Sequence, residues 1–308
     1  MAYSTEIIAD SINELDQRLT TFEITLPRFV LAEFNTHRMF SRNSASSRAI
    51  PVEKQLGKVL DDPFIPIYWG KNQSGMQAAS ELSPEEAQIA ETEWLVSRDY
   101  AVLGAVALIG GLDQLKNEQL KTRIGELRNS VDWKGNDVPA TVHKQTANRL
   151  LEPFMWHTII VTATDWDNFY ALRDNPQAQP EIQHSAHAMR NLYTSHSPEI
   201  LTIGEWHLPL IQEDEKDMPI DLLKKISVGR CTRVSYLTHN NVRDHKEDIG
   251  LHDKILNDGH MSPFEHVARS MDIREQSKNG EYSGNFRGWH QYRKDIPGEN
   301  NFASLQDA

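Results

Sequence analysis

Thr36-His37-Arg38 is followed after seven residues by Ser46, with Arg42 and Asn43 between them and Ser47 and Arg48 just beyond. A guanidinium presents forked donors that match phosphate oxygens, and hydroxyls add short polar arms, so such a segment can give an anion both charge and shape. Its size suits a nucleotide phosphate. The competing reading is a solvated Ser/Arg loop, since connecting segments are polar in any case. A second cluster runs from Arg149 past Pro153 to Asn168, Phe169 and Arg173, then to Gln179-Pro180-Glu181-Ile182. Arg173 closes one apolar segment where Gln179 opens a helix, so backbone donors and a guanidinium can converge there. Taken by itself, an Arg/Glu brace between two helices explains that cluster better. The third is Gly259-His260-Met261-Ser262-Pro263-Phe264-Glu265-His266. Two histidines and a glutamate invite a metal, yet the spacing matches no zinc-binding helix and Pro263 breaks helical register, so no metal is expected. His260 and Ser262 can instead hold a phosphate or a ring edge by hydrogen bonds.

The elements that must position these groups are legible in part. Glu6 to Ile12 and Arg18 to Leu26 read as strands, the second alternating Leu19, Phe22, Ile24 and Leu26 with polar residues. Pro27 opens a helix that runs to Arg38, and Ser41 to Arg48 reads as an ordered loop. Pro63 to Ser80 is loop-like. Ser83-Pro84-Glu85-Glu86 then supplies an N-cap, a proline at the first helical position and a capping-box glutamate. That helix should reach Ile109, with Ile89, Trp94, Leu95, Leu103 and Val106 inward, and stop at Gly110-Gly111. Lys116 to Leu127, Thr141 to Leu151 and Ala178 to Tyr193 read as helices, the last with Ile182, Ala186 and Met189 on one side. Ile159 to Thr164 is strand or buried helix. Ser195 to Pro219 is a packed connector and the best place for a boundary. Beyond it, Arg233 to Leu237 reads as a short strand, Lys246 to Asn257 as a helix and Phe264 to Ile273 as a strand.

Composition excludes several classes. The chain of 308 residues is 39% hydrophobic and 25% charged, enough to bury a full core. No segment approaches the roughly 20 apolar residues that span a bilayer, and the first residues lack a basic, then apolar, leader; a cytoplasmic protein without membrane partners is expected. The single cysteine, Cys231, forbids an internal disulfide and reads as a small strand residue. A net charge of −12 argues against a nucleic-acid polymer as partner, because duplex affinity rests on Lys and Arg neutralising phosphates. A small anion remains open, since local fields can oppose the global one.

At the three clusters the chain resembles the flavin-dependent thymidylate synthases. Their signature, Arg-His-Arg, seven residues, then Ser, stands here as Thr36-His37-Arg38-x7-Ser46, preceded by Pro27 and followed by Arg48. Their Gly-His-x-Ser/Thr-Pro-Phe-Glu-His turn is matched by Gly259 to His266. Asn168-Phe169, Leu172-Arg173 and Ala178 to Ile182 match a third pattern of the family. The resemblance implies an α+β fold of the thymidylate synthase-complementing type, an antiparallel-rich sheet with flanking helices. Residues 1–200 would carry the signature loop, and residues 201–308 would supply the turn, packed into the same fold. It implies FAD contacts at His37, Arg38, Asn43, Asn168, His260 and Ser262. Nucleotide contacts would fall at Glu33, Ser46, Ser47, Arg48, Arg149 and Arg173, with Arg173 and Ser46 assigned to catalysis. It further implies dUMP as substrate, methylenetetrahydrofolate as carbon donor, NADPH as reductant of FAD, and a homo-oligomer, a tetramer or a dimer.

Departures are informative. Thr36 replaces the first signature arginine, Ser44 a glutamate, Ala49 a tyrosine, and Glu33 a glutamine near the nucleotide. A carboxylate in place of an amide alters the donor and acceptor pattern offered to a base edge, so dCMP stands beside dUMP as a substrate. The turn also follows the signature, whereas in the family it precedes it, as in a permuted chain. The tail from Phe286 to Arg293, with Glu299, echoes the signature and reads as a degenerate second copy, or as a basic surface tail. Two further readings are a cysteine-dependent synthase using Cys231, whose context lacks the expected neighbours, and a non-catalytic flavin or nucleotide binder.

Overall fold

A computed structural model describes residues 3–75, 77, 78, 80–234, 243–277 and 284–300. β1 (Ser4–Asn13) and β2 (Arg18–Pro27) form an antiparallel hairpin, and β4 (Trp156–Ala163) pairs antiparallel along the whole of β2 except its first residues. β3 (Ser41–Ser44) lies antiparallel on β4 and β5 (Glu199–Leu201) lies parallel on β1, giving the order β3-β4-β2-β1-β5. A second antiparallel sheet is ordered β6 (Trp206–His207), β7 (Ala268–Ser270), β8 (Trp289–Gln291). The fold is thus α+β with a sheet rich in antiparallel pairs.

Period-2 alternation explains what covers the larger sheet. Phe22, Ile24 and Leu26 of β2 and Ile159 and Val161 of β4 form one face. They pack under α1 (Leu31–Asn35), α6 (Asp167–Arg173) and α7 (Pro180–Ser195), which contribute Phe34, Phe169, Ile182 and Met189. The opposite face carries Thr21, Thr25, Thr158 and Thr162, and these threonines are buried too. They are partners in register, and their hydroxyls pair across the strands, Thr21 to Thr162 at 2.7 Å and Thr25 to Thr158 at 2.9 Å. Burial of a hydroxyl is tolerated when it is hydrogen-bonded, and these are. Over this face lies α8 (Ile220–Arg233), with Cys231 against Ile160.

A separate apolar cluster joins α2 (Val52–Asp61), α3 (Pro84–Leu108) and α4 (Glu118–Ser130) to a 3-10 segment, Asn148–Phe154, that follows α5 (Lys144–Ala147). The capping box at Ser83 and Glu86 is formed, and Gly110 and Gly111 end α3 with φ of +96° each. Ile89 is exposed, contrary to its expected inward position, because the fully buried positions of α3 begin only at Val102. No helix among the described residues is long and apolar enough to cross a membrane.

Other expectations change too, among them the helix expected from Thr141 to Leu151, of which only Lys144–Ala147 is α-helical. Pro27 ends β2, and a 3-10 turn (Arg28–Val30) precedes the short α1. Ser41 to Ser44 is an edge strand, its polar residues alternating inward (Ser41, Asn43) and outward (Arg42, Ser44). Arg233 and Cys231 belong to α8, where Arg230 and Arg233, three residues apart on one helical face, both reach Asp248 of α9 (His245–Asn257). The rest of that expected strand, residues 235–237, lies outside the described residues. Phe264 to Ile273 contributes only β7, because a 3-10 turn from Ser262 to Glu265 precedes it.

α8 and α9 meet at Gly229, where a Cβ would lie 2.1 Å from the carbonyl oxygen of Asp248. Backbone cannot yield as a side-chain tip does, so Gly229→Ala should cost about 3 kcal/mol or more of stability. A urea midpoint unchanged in that variant would show that the two helices do not pack this closely.

Candidate active site

α9 ends in a paired cap: the Gly259 N–H donates to Leu256 O at 3.2 Å and the His260 N–H to Ile255 O at 2.9 Å, with Gly259 at φ +70°. Only glycine adopts that conformation readily, and it turns the chain so that His260 leaves the helix toward β3. Pro263 and Phe264 of the following 3-10 turn are buried and Glu265 pairs with Arg293, which leaves Ser262 in the turn and His260 just before it as polar groups facing outward.

The signature loop is held from the other side. Ala45 N donates to Thr158 O, and Ala49 N and Ile50 N both donate to Ser46 O, closing a tight turn. Asn148, fully buried, donates to Ser47 O at 2.7 Å and Ile50 O at 3.0 Å, while Lys144 Nζ donates to Ala49 O at 2.9 Å. Asn43 Nδ2 donates to Cys231 O at 2.7 Å and ties β3 to the end of α8.

Between the two stretches is a cleft of about 420 Å³ lined by Asn43, Ser46, Arg48, Thr232, His260 and Ser262. Five of these six were singled out in the sequence, and they come from segments on opposite sides of residue 150. Arg48 is exposed and has no ion pair among the described residues. A free guanidinium, an imidazole, three hydroxyls and an amide make a donor set suited to phosphate and a polar ring edge. The volume lies within the range of small-molecule pockets and suits one mononucleotide-sized portion of a ligand.

Glu33, His37 and Arg173 gather separately. Arg173 Nε donates to His37 Nε2 at 3.1 Å, and its Nη2 donates to Thr36 Oγ1 at 3.2 Å and Glu33 O at 3.5 Å. His37 is pushed down to about 4 by burial, and further by Arg173 and Arg42, so it is neutral at pH 7. Accepting at Nε2, it carries its proton on Nδ1. Glu33 Oε2 is buried and accepts no hydrogen bond.

The remaining sequence candidates do not line the cleft. Arg38 and Asn168 are exposed. Ser47 and Arg149 both donate to Glu152 Oε1, at 3.1 and 2.7 Å, alongside Arg28 at 3.1 Å. In the tail, Arg293 pairs with Glu265 and Glu299, and Arg287 pairs with Asp165. The tail does touch the signature segment: Gln291 Nε2 donates to Ser41 Oγ at 3.2 Å, and Asn285, just before the tail, donates to Met39 O and accepts from Ser41 Oγ. Cys231 is fully buried, and burial pushes its thiol up, which makes it a poor nucleophile.

Asn148, Lys144 and Thr232 were not foreseen. Asn148 had a signal: it is a polar residue on the same buried side as Ala147 and Leu151, and a buried amide needs partners. Thr232 had none, since its segment read as a strand.

Residues 14–199 match the family described as thymidylate synthase complementing protein. Similar solved structures include a UMP/dUMP methylase, PolB, from Streptomyces cacaoi bound with 5-Br dUMP. It is 14% identical with a TM-score of 0.42, covering 63% of this chain and 90% of that one. The same protein bound with 5-Br UMP gives 14% identity and a TM-score of 0.44, covering 63% and 89%. No curated protein sequence matches the chain.

Proposed function

Because the chain belongs to the thymidylate synthase complementing protein family, we propose that it is a flavin-dependent thymidylate synthase, methylating dUMP to dTMP with methylenetetrahydrofolate as carbon donor and NADPH reducing FAD. The observation that carries this reading is the single cleft shared by residues 43–49 and 260–263. Bound FAD would supply the redox chemistry, leaving the protein to bind, orient and polarise. Arg48 and Ser46 hold the nucleotide phosphate, by charge and by a hydroxyl donor. His260 and Ser262 face the flavin edge from the opposite wall, and Asn43 adds its amide beside them.

Arg38, Asn168 and the Arg173–His37 pair enter this reading through a second copy of the chain. Met39 and Leu172, next to these residues in sequence, are 43% and 53% exposed. A homo-oligomer, a tetramer or a dimer, would bring Arg173 to the nucleotide of a neighbour, where its charge stabilises the polarised base.

Purified protein should carry a flavin absorbance that NADPH bleaches. It should release tritium from 5-tritiated dUMP only when methylenetetrahydrofolate is present. Protein that binds flavin and nucleotide yet releases no tritium from any pyrimidine nucleotide would make it a binder instead of an enzyme.

One observation favours a second substrate. The unpartnered Glu33 Oε2 is a carboxylate oxygen that can accept, and the 4-amino group of cytosine donates where uracil presents a carbonyl. If dCMP is the better substrate, Glu33→Gln should shift the kcat/KM ratio toward dUMP by about 10-fold or more. An unchanged ratio would remove Glu33 from base recognition.

A further inference from the structure

Behind the cleft wall runs an unbroken chain of side-chain hydrogen bonds. Ser11 Oγ meets His207 Nδ1 at 2.9 Å, and His207 Nε2 meets Thr21 Oγ1 at 2.7 Å. Thr21 Oγ1 meets Thr162 Oγ1 at 2.7 Å, and Thr162 Oγ1 meets His266 Nδ1 at 2.8 Å. All five residues are at most 3% exposed. The chain starts on β1 and passes through β6, β2 and β4. It ends at the residue closing the 3-10 turn that carries Ser262. At that end His266 Nε2 is buried and has no partner.

Such a chain has only two ordered states. A neutral imidazole donates from one nitrogen and accepts at the other, and each threonine hydroxyl here accepts once and donates once. Burial holds both histidines neutral, His207 and His266 alike being pushed down to about 3. If Ser11 donates to His207, every bond points the same way and His266 carries its proton on Nε2. If His207 donates to Ser11, every bond reverses and the proton sits on Nδ1 of His266. The orientation of one serine hydroxyl therefore sets the tautomer of a histidine four hydrogen bonds away. Ser11 is also on the rim of a separate cavity of about 590 Å³, between β1 and the residues around Trp206.

We propose that His207, Thr21 and Thr162 are positioning residues that fix the tautomer and seat of His266, and through it the turn presenting His260 and Ser262 to the cleft. The effect on ligands rests on the cleft being the flavin and nucleotide site. The effect on His266 does not. A chain that merely pinned the two sheets together would be buried, hydrogen-bonded and coupled from end to end in the same way, but changing its tautomers would leave ligand affinity at the cleft untouched.

The test uses full-length protein labelled with 15N at histidine, in which ring-nitrogen shifts report the tautomer of each imidazole. Ser11→Ala removes the first link at the far end from the turn. It should change the tautomer or the tautomer ratio of His266 and weaken FAD affinity by about 10-fold. Thr162→Val, of equal shape but without the hydroxyl, should do the same more strongly, and Thr162→Ser should restore both readouts. His266 nitrogen shifts unmoved in Ser11→Ala would overturn the relay, and they decide the matter even if Thr162→Val does not fold. Altered shifts with FAD affinity within twofold of wild type would overturn its link to the cleft. Wild-type protein that binds no FAD would defeat the functional reading, and the nitrogen shifts alone would then judge the relay.

Discussion

Moving the protein from pH 7.5 to pH 5.0 should remove on the order of 2 kcal/mol of folding stability for each of His157, His207 and His266. All three are almost wholly buried, and each is pushed down to about 3. The leading cause in each case is burial, which disfavours the charged ring. Arg28 adds to it at His157 and His207 adds to it at His266, while Asp10 opposes it at His207. In the unfolded chain these histidines titrate near 6.5. Below that value the unfolded state binds protons that the folded state refuses. The contribution is therefore complete above pH 6.5 and is lost steadily as pH falls toward 3. Three such losses total about 6 kcal/mol at pH 5, comparable with the whole stability of many proteins. The urea midpoint should stay flat from pH 8 to 7 and then fall steeply. A midpoint constant between pH 7 and 5 would mean that these rings are not buried as described.

Arg48→Ala should lower kcat/KM for the nucleotide by about 100-fold, chiefly through KM, because a charge-assisted bond to phosphate is lost from ground and transition states alike. His260→Ala, on the opposite wall, should raise the flavin dissociation constant by at least about 10-fold while leaving the urea midpoint nearly unchanged, since His260 is exposed. Arg149→Ala gives the contrast. Arg149 pairs with Glu152 and does not line the cleft, so its loss should change KM only a few-fold. Equal damage from Arg149→Ala and Arg48→Ala would move the phosphate site away from the cleft, toward Glu152.

The parts of the fold that were legible are those where local chemistry and tertiary packing agree. β1 and β2 declared themselves by alternation, and α3 by Ser83, Glu86 and the two glycines that end it. β3 was hidden because an edge strand built from Ser, Arg and Asn satisfies its side chains through partners far along the chain, such as Cys231 O and Asn285. The end of α8 was misread because Val, Thr and Cys favour strands in isolation, while its arginines are placed by Asp248 on α9, outside any local window. The site was legible by resemblance for Asn43, Ser46, Arg48, His260 and Ser262. It was not legible for the groups that hold the loop in place, Asn148 and Lys144, whose partners are backbone carbonyls that any sequence supplies. Nor does spacing separate the cleft from the Arg173–His37 cluster, since that division arises from where the elements lie in space: Glu33 and Arg173 are on α1 and α6, while Asn43 is on β3 and Ser262 on the turn after α9.

Hydrogen exchange followed by mass spectrometry, without ligand and with FAD and dUMP added together, tests most directly whether the signature loop and the Gly259–His266 turn line one site that holds both ligands. The expected result is slowed exchange in residues 43–50 and in residues 259–266 together, at the same ligand concentrations. Protection confined to one of these segments, or appearing in neither while ligand is demonstrably bound, would contradict a shared site.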